Sequence, residues 1–329
     1  MRDKSFCQGV INGALFEVVI ATMQPGLVLS AFFFKLTDST FYAALPMTLI
    51  YLGGLWPPLI VAHIAEGMAR KKPIYIFAGA APIALLATIA TATLLLGDAS
   101  STALVALFPL LYFFYSSANA AGRIGFMEMI AKTIPAKRPG HFMGMRGCFG
   151  GLFGLATGLY VQHMLGADGP VFPLNYAGLF FTATLFLIPA VIVFAAIDEP
   201  RSKLHEQRGA FRDHLRRGMS TLREDRNFRL LVATRLLMAG AIAGQVIFIP
   251  YAIKELALPE SIVGVLMIIA ACFALPSHLI WSHLCATATA TPVCCRPSHA
   301  SSSARRSTPS PPATPRITDQ TYRYPQATI

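Results

Sequence analysis

The chain has 329 residues, of which 54% are hydrophobic and only 13% charged, and its mean hydropathy is +0.55. A soluble globule carries about 25% charged residues, and one this apolar would lack the polar surface to cover itself; intrinsic disorder needs the opposite balance. The net charge of +11, from 27 Lys+Arg against 16 Asp+Glu, would suggest nucleic acid in a soluble chain, but here it must first be read as a topology signal.

Stretches of about 20 apolar residues suffice to cross a bilayer. Eight occur in chain order, near 18–36, 41–65, 74–96, 102–125, 144–165, 176–197, 229–252 and 261–285. Pro and Gly inside them, such as Pro25-Gly26, Pro57-Pro58 and Pro250, are common in membrane helices. The expected fold class is all-α, a polytopic membrane helix bundle.

The basic residues alternate across these spans. One set of loops holds Arg2, Lys4, Arg70, Lys71, Lys72, Lys132, Lys137, Arg138 and Arg146, then nine Arg and Lys between Arg201 and Arg229. The opposite set holds only Lys35 and Lys254. Positive residues stay inside, so the N-terminus and the 198–228 loop are expected in the cytoplasm, with the chain in the cytoplasmic (inner) membrane. The excess charge is then topological, and no nucleic-acid partner is expected. The six cysteines show neither metal-ligand spacing nor a disulfide framework.

The basic loop separates six spans from two. This predicts a six-helix N-terminal half over 1–197, a cytoplasmic linker over 198–228, and the first two helices of a second half over 229–285. Span 7 opens like span 1: Phe16-Glu17-Val18-Val19-Ile20-Ala21-Thr22 against Phe228-Arg229-Leu230-Leu231-Val232-Ala233-Thr234. Leu59-Ile60-Val61-Ala62-His63 likewise matches Leu279-Ile280-Trp281-Ser282-His283. Both matches are in order, as an internal duplication would leave them.

After span 2 come Glu66-Gly67-Met68-Ala69-Arg70-Lys71-Lys72. This segment resembles the loop 2–3 signature of the major facilitator superfamily, G-x-x-x-D-[R/K]-x-G-[R/K]-[R/K]-[R/K]. Ala62 stands at the first Gly, Glu66 at the Asp and Ala69 at the second Gly; Arg70, Lys71 and Lys72 form the basic run. Gly67 departs from the pattern. The segment Pro135-Ala136-Lys137-Arg138-Pro139-Gly140 through Gly144 is similar to the family's loop 4–5 motif, with Arg138 and Gly140 at its core. The resemblance covers about residues 10–285. It implies a secondary transporter that moves a small solute by alternating access, with the loop 2–3 residues as a conformational latch.

The family has twelve spans, and this chain has eight. From Ala286 the composition turns to an Ala-Thr alternation and then to Ser, Pro, Arg and Thr, so 286–329 is expected to be a disordered tail. Read one base out of frame, the Ala-Thr codons can encode D-R-Y-G-N, the expected second copy of the signature. A frameshift is therefore the favoured origin of the tail, and the truncated product is expected to be inactive. The competing reading is an eight-helix receptor or scaffold that transports nothing.

Polar groups inside spans are costly and often functional. Arg235, Arg123, Asn119, Gln24 and Gln245 are the candidates for lining a substrate cavity, and the two arginines favour an anionic solute. Glu17, aligned with Arg229, is expected at the membrane interface, as are Glu128 and His163. No Walker loop, HExxH or GxSxG is present. No catalytic residue, metal or cofactor is expected, and the chain is not read as an enzyme. The expected partners are a small-molecule substrate, a coupling ion (proton or sodium) and the lipid bilayer.

Overall fold

The computed structural model describes residues 2–97, 101–134, 139–201 and 211–290. The elements are α1 (Arg2–Thr22), α2 (Val28–Thr37), α3 (Thr40–Leu55), α4 (Pro57–Glu66), α5 (Lys72–Leu96), α6 (Ser101–Thr133), α7 (Pro139–Met164), α8 (Leu174–Ala195), α9 (Phe211–Glu224), α10 (Arg226–Ala243), α11 (Phe248–Lys254) and α12 (Ile262–Ala290). The described residues contain no strand. The chain is an all-α polytopic membrane helix bundle, with seven helices long and apolar enough to cross a membrane.

The fifth stretch, expected near 144–165, became α7, which is not among those seven. It is 26 residues long, about 39 Å at 1.5 Å per residue, so its length suffices to cross. Seven glycines together with His141, Arg146, Gln162 and His163 make it less apolar than its neighbours. It packs between α1 and α12, and its contact with α12 is the most extensive of any helix pair.

The first span differs most from expectation. It begins at Arg2 rather than near residue 18, and it is broken. Pro25 has no N–H to continue the helix ladder. Gln24 turns back, and its Oε1 accepts the Leu27 N–H at 2.7 Å, so the side chain satisfies a donor that the break would strand. The seventh span is broken too: a 3₁₀ turn over Gly244–Ile247 separates α10 from α11. The matched heptapeptides do not sit equally far from these breaks, since Phe16 precedes its break by far fewer residues than Phe228 does.

The second span bends at Trp56, and Pro57 and Pro58 open α4 in its first turn, where a missing N–H costs no intrahelical bond. α12 runs on to Ala290, five residues into the segment read as tail. The remainder of that tail, the middle of the 198–228 linker and the loop 4–5 residue Arg138 lie outside the described residues.

Packing follows membrane rules, in which small residues let backbones approach. An aromatic core joins α2, α6 and α8, with the Phe32 ring 5.1 Å from those of Phe108 and Tyr176. Large apolar side chains such as Phe77, Leu95 and Leu185 face outward, as a lipid-facing surface requires. At the α7–α12 contact, a Cβ on Gly264 would lie 2.4 Å from the Cα and N of Gln162. Gly54, by contrast, has nothing within 4 Å of its Cβ position. Gly264→Ala should therefore cost on the order of 1–3 kcal/mol by overpacking, and Gly54→Ala almost nothing. Thermal unfolding of the two variants in detergent checks this, and equal melting temperatures would contradict the packing described.

Candidate functional site

Polar groups gather at three levels of the bundle. The first starts from Asn12, which is buried in α1. Its Nδ2 donates to the Ala190 carbonyl of α8 at 2.8 Å and to the Tyr75 hydroxyl of α5 at 3.3 Å. Its Oδ1 accepts from Arg146 Nη1 of α7 at 2.8 Å, and the same Nη1 donates to the Gly9 carbonyl at 2.7 Å. The Arg146 guanidinium also lies over the Phe126 ring of α6, 4.7 Å from its centroid. One asparagine thus ties four helices, and one arginine adds a fifth. The arrangement needs glycine, because a Cβ on Gly13 would come within 2.3 Å of Arg146 Cγ.

One turn further along α1 is Glu17. Its side chain lies along the glycine face of α7, with Oε2 3.7 Å from the Cβ position of Gly150 and Oε1 3.9 Å from that of Gly154. Arg146 and His278 of α12 are the charged or titratable groups that act on it. His278 Nδ1 is 2.6 Å from the Cβ position of Gly147, one turn before Gly150 on the same helix. Glu17 therefore stands well inside the first span rather than at its interface, and Arg146 is a packed membrane residue rather than a loop charge.

Further along the first span, the two breaks approach each other. The Cβ position of Gly26 is 3.7 Å from Gln24 Oε1 and 4.0 Å from Gln245 Cβ. The sequence candidates Gln24 and Gln245 are thus brought together, one from each broken span. The other cavity candidates are not. Asn119 Nδ2 returns to its own helix, donating to the Tyr115 carbonyl at 3.2 Å. Arg123 and Arg235 are exposed on α6 and α10.

The basic end carries a second cluster. Glu199, just past α8, is buried, with its side chain 0% exposed. It accepts backbone N–H bonds from Lys71 at 2.8 Å and from Lys72 at 2.7 Å, which places a carboxylate at the N-terminus of α5. Lys132 of α6 pairs with it at 2.5 Å. Lys71 turns its Nζ to the Ala65 and Met68 carbonyls at the end of α4. Part of the loop 2–3 signature is thus held by Glu199, which the sequence reading did not single out. Ala62 and Ala69 are half-buried and Arg70 is exposed, while Glu66 closes α4 and its side chain is not described. Gly140 lies in the first turn of α7.

The far end carries the third cluster. Lys35 of α2 pairs with Glu260, in the loop before α12, and Tyr176 of α8 donates to the same carboxylate at 3.2 Å. Asp38, in the left-handed conformation that ends α2, faces Lys254 of α11 at 4.0 Å. The two lysines expected on the outer face thus meet carboxylates from the opposite part of the chain. No metal-ligating cluster is present among the described residues. No family model, curated protein or solved structure matches the chain.

Burial alone would push the Glu199 carboxyl up. The bonds from Lys132 and from the Lys71 and Lys72 amides outweigh it and hold the group below the usual 4.5. Its stabilisation is therefore present in full above pH 4.5 and lost as the pH falls through the lower folded value. Glu199→Ala should cost about 3 kcal/mol at neutral pH, since it strands a buried lysine and two amides. Melting curves in detergent at neutral and acid pH check this: the gap between native and variant should narrow in acid, and a constant gap would contradict the assignment.

Proposed function

We propose that the chain is a secondary active transporter, which moves a small solute across the cytoplasmic membrane by alternating access, with its N-terminus in the cytoplasm. The observation that carries this reading is the meeting of two broken membrane spans. Irregular backbone at membrane depth is tolerated where it lines a cavity, and discontinuous helices from the two parts of a transporter commonly form its substrate site. Here the breaks in spans 1 and 7 bring Gln24 and Gln245 close to Gly26. Neutral amides at that point can both donate to and accept from a small polar solute.

The clusters at the ends of the bundle support the same reading. The Lys35–Glu260 and Lys254–Asp38 pairs join spans 1 and 7/8 reciprocally at the far end, outside in the proposed orientation. The Lys254–Asp38 pair is exposed and weak, while Lys35–Glu260 is better shielded and reinforced by Tyr176. Such pairs, made in one state and broken in another, are the usual means by which a two-state bundle is biased. Glu199 and its lysines would serve as the inner counterpart, a positioning element at the loop 2–3 signature. The Arg146 side chain adds positive potential inside the bundle, which favours a solute carrying negative charge.

The test is two-sided accessibility. A single cysteine placed at Gln245, in a chain whose native cysteines are changed to serine, should react with a membrane-impermeant maleimide from both faces of a proteoliposome. Joining Lys35→Cys to Glu260→Cys by a disulfide should abolish labelling from the outer face and leave inner labelling intact. Labelling from one face alone, unaltered by the cross-link, would remove alternating access and leave a static receptor or scaffold.

A further inference from the structure

The transport reading leaves open what drives the cycle, and Glu17 bears on that. Among the described residues it is the one carboxylate deep within a membrane crossing. It lies 15 residues after Arg2, roughly 22 Å along the helix, and 20 residues before Thr37. Asp3, Glu66 and Glu128 lie at or near helix ends, and the other described acids fall outside the helices that cross. The Glu17 carboxylate makes no hydrogen bond or ion pair among the described residues, and the residue is half-buried. An ionised carboxylate is rarely left this way at membrane depth without a function.

Its surroundings narrow the choice of ligand. α7 contributes Arg146, and α12 contributes His278. α5 contributes Tyr75, one turn away beyond Asn12. The parts of α6 and α8 nearest α1's polar groups offer the Phe126 ring and the Ala190 carbonyl. A metal cation needs several oxygen ligands, and a guanidinium and an imidazole are poor company for one. A proton needs one carboxylate and no cage. Arg146 is already engaged by the Gly9 carbonyl, Asn12 and the Phe126 face, so it faces Glu17 as a fixed charge rather than a direct partner.

The geometry points to Glu17 as the proton-binding carboxylate of a proton-coupled transporter, flanked by Arg146 on α7 and His278 on α12. This inference rests on the transport reading and names its coupling ion. When Glu17 is ionised, its charge draws α12 toward α1 across the glycine face of α7, through His278. When Glu17 takes up a proton from water on one side, that attraction lapses and α12 is released. The proton leaves to the other side once the cavity reopens there. Gly147, Gly150 and Gly154 are the surface on which the two side chains move relative to each other.

The experiment is pH-difference infrared spectroscopy of the full chain in proteoliposomes, which needs no substrate. Wild type should show a protonated-carboxyl stretch whose intensity falls as the pH is raised. Glu17→Gln should abolish the band. Glu17→Asp should keep a band with a displaced midpoint, and His278→Gln should keep the band and move its midpoint. Survival of the band in Glu17→Gln would overturn the proposal, as would its absence from wild type. A midpoint unmoved in Glu17→Asp would do the same, which keeps the test decisive should the glutamine variant aggregate. A band that responds to sodium replacing choline at fixed pH would assign the site to a metal cation instead. Two-sided maleimide labelling at residue 245 in the same preparations reports on alternation separately. Labelling intact without a Glu17 band removes the proton and leaves the transporter.

Discussion

A guanidinium inside a membrane bundle must be accommodated before anything else can pack. An unpaired charge at that depth costs several kcal/mol at least, and the cost falls only when its donors are met. In this chain Arg146 is met by the backbone of α1 itself, through Gly9, and by Asn12. The backbone can be reached because Gly13 has no side chain to hold α7 away. Asn12 then spends its remaining hydrogens on α5 and α8. The relative positions of α1, α5, α6, α7 and α8 thus all follow from satisfying one cation. The same constraint sets the path of Glu17 along α7, and so the distance between that carboxylate and α12.

The polar clusters at the two ends work differently. Glu199 at the basic end is fully enclosed and has three kinds of donor, so it behaves as a rigid joint among α5, α6 and α8. Lys35, Glu260, Asp38 and Lys254 at the far end retain exposure, and water competes for each of them. A bundle braced firmly at one end and loosely at the other opens most readily at the loose end. The asymmetry lies in burial rather than in the number of charges.

Much of the architecture was legible from composition and hydropathy, because a bilayer imposes length and polarity on every crossing element. Stretches 41–65, 74–96, 102–125 and 176–197 correspond to α3–α4, α5, α6 and α8, with ends displaced by a few residues except at the C-terminus of α6. The start of span 1 was misjudged because Asn12, Gly9 and Gly13 dilute its apolar run; those are the residues that make room for Arg146. Arg146 itself was counted among loop charges, since a lone arginine near the start of a span looks the same whether it snorkels or packs. Its partners lie more than 130 residues away in sequence, and no spacing rule reaches that far. Glu199 was hidden for the same reason: its role exists only when the ends of α4, α5, α6 and α8 are assembled. Gln24 and Gln245 were legible as polar interruptions of apolar helices, but the breaks that bring them together depend on Pro25 and on a 3₁₀ turn that hydropathy does not register.

The broken seventh span has a further consequence. The substantial contacts of α10 are confined to α9 and the 3₁₀ turn, whereas α11 is anchored by buried Ile249 and Pro250. Free energy of opening scales with such anchoring, so the two arms of one crossing belong to different cooperative units. Amide protons of α10 will exchange with solvent or through lipid fluctuations well before those of α11, and the 3₁₀ turn is the boundary between the two rates. A hinge of this kind lets one arm swing while the other stays docked, so the crossing need not move as a single rod.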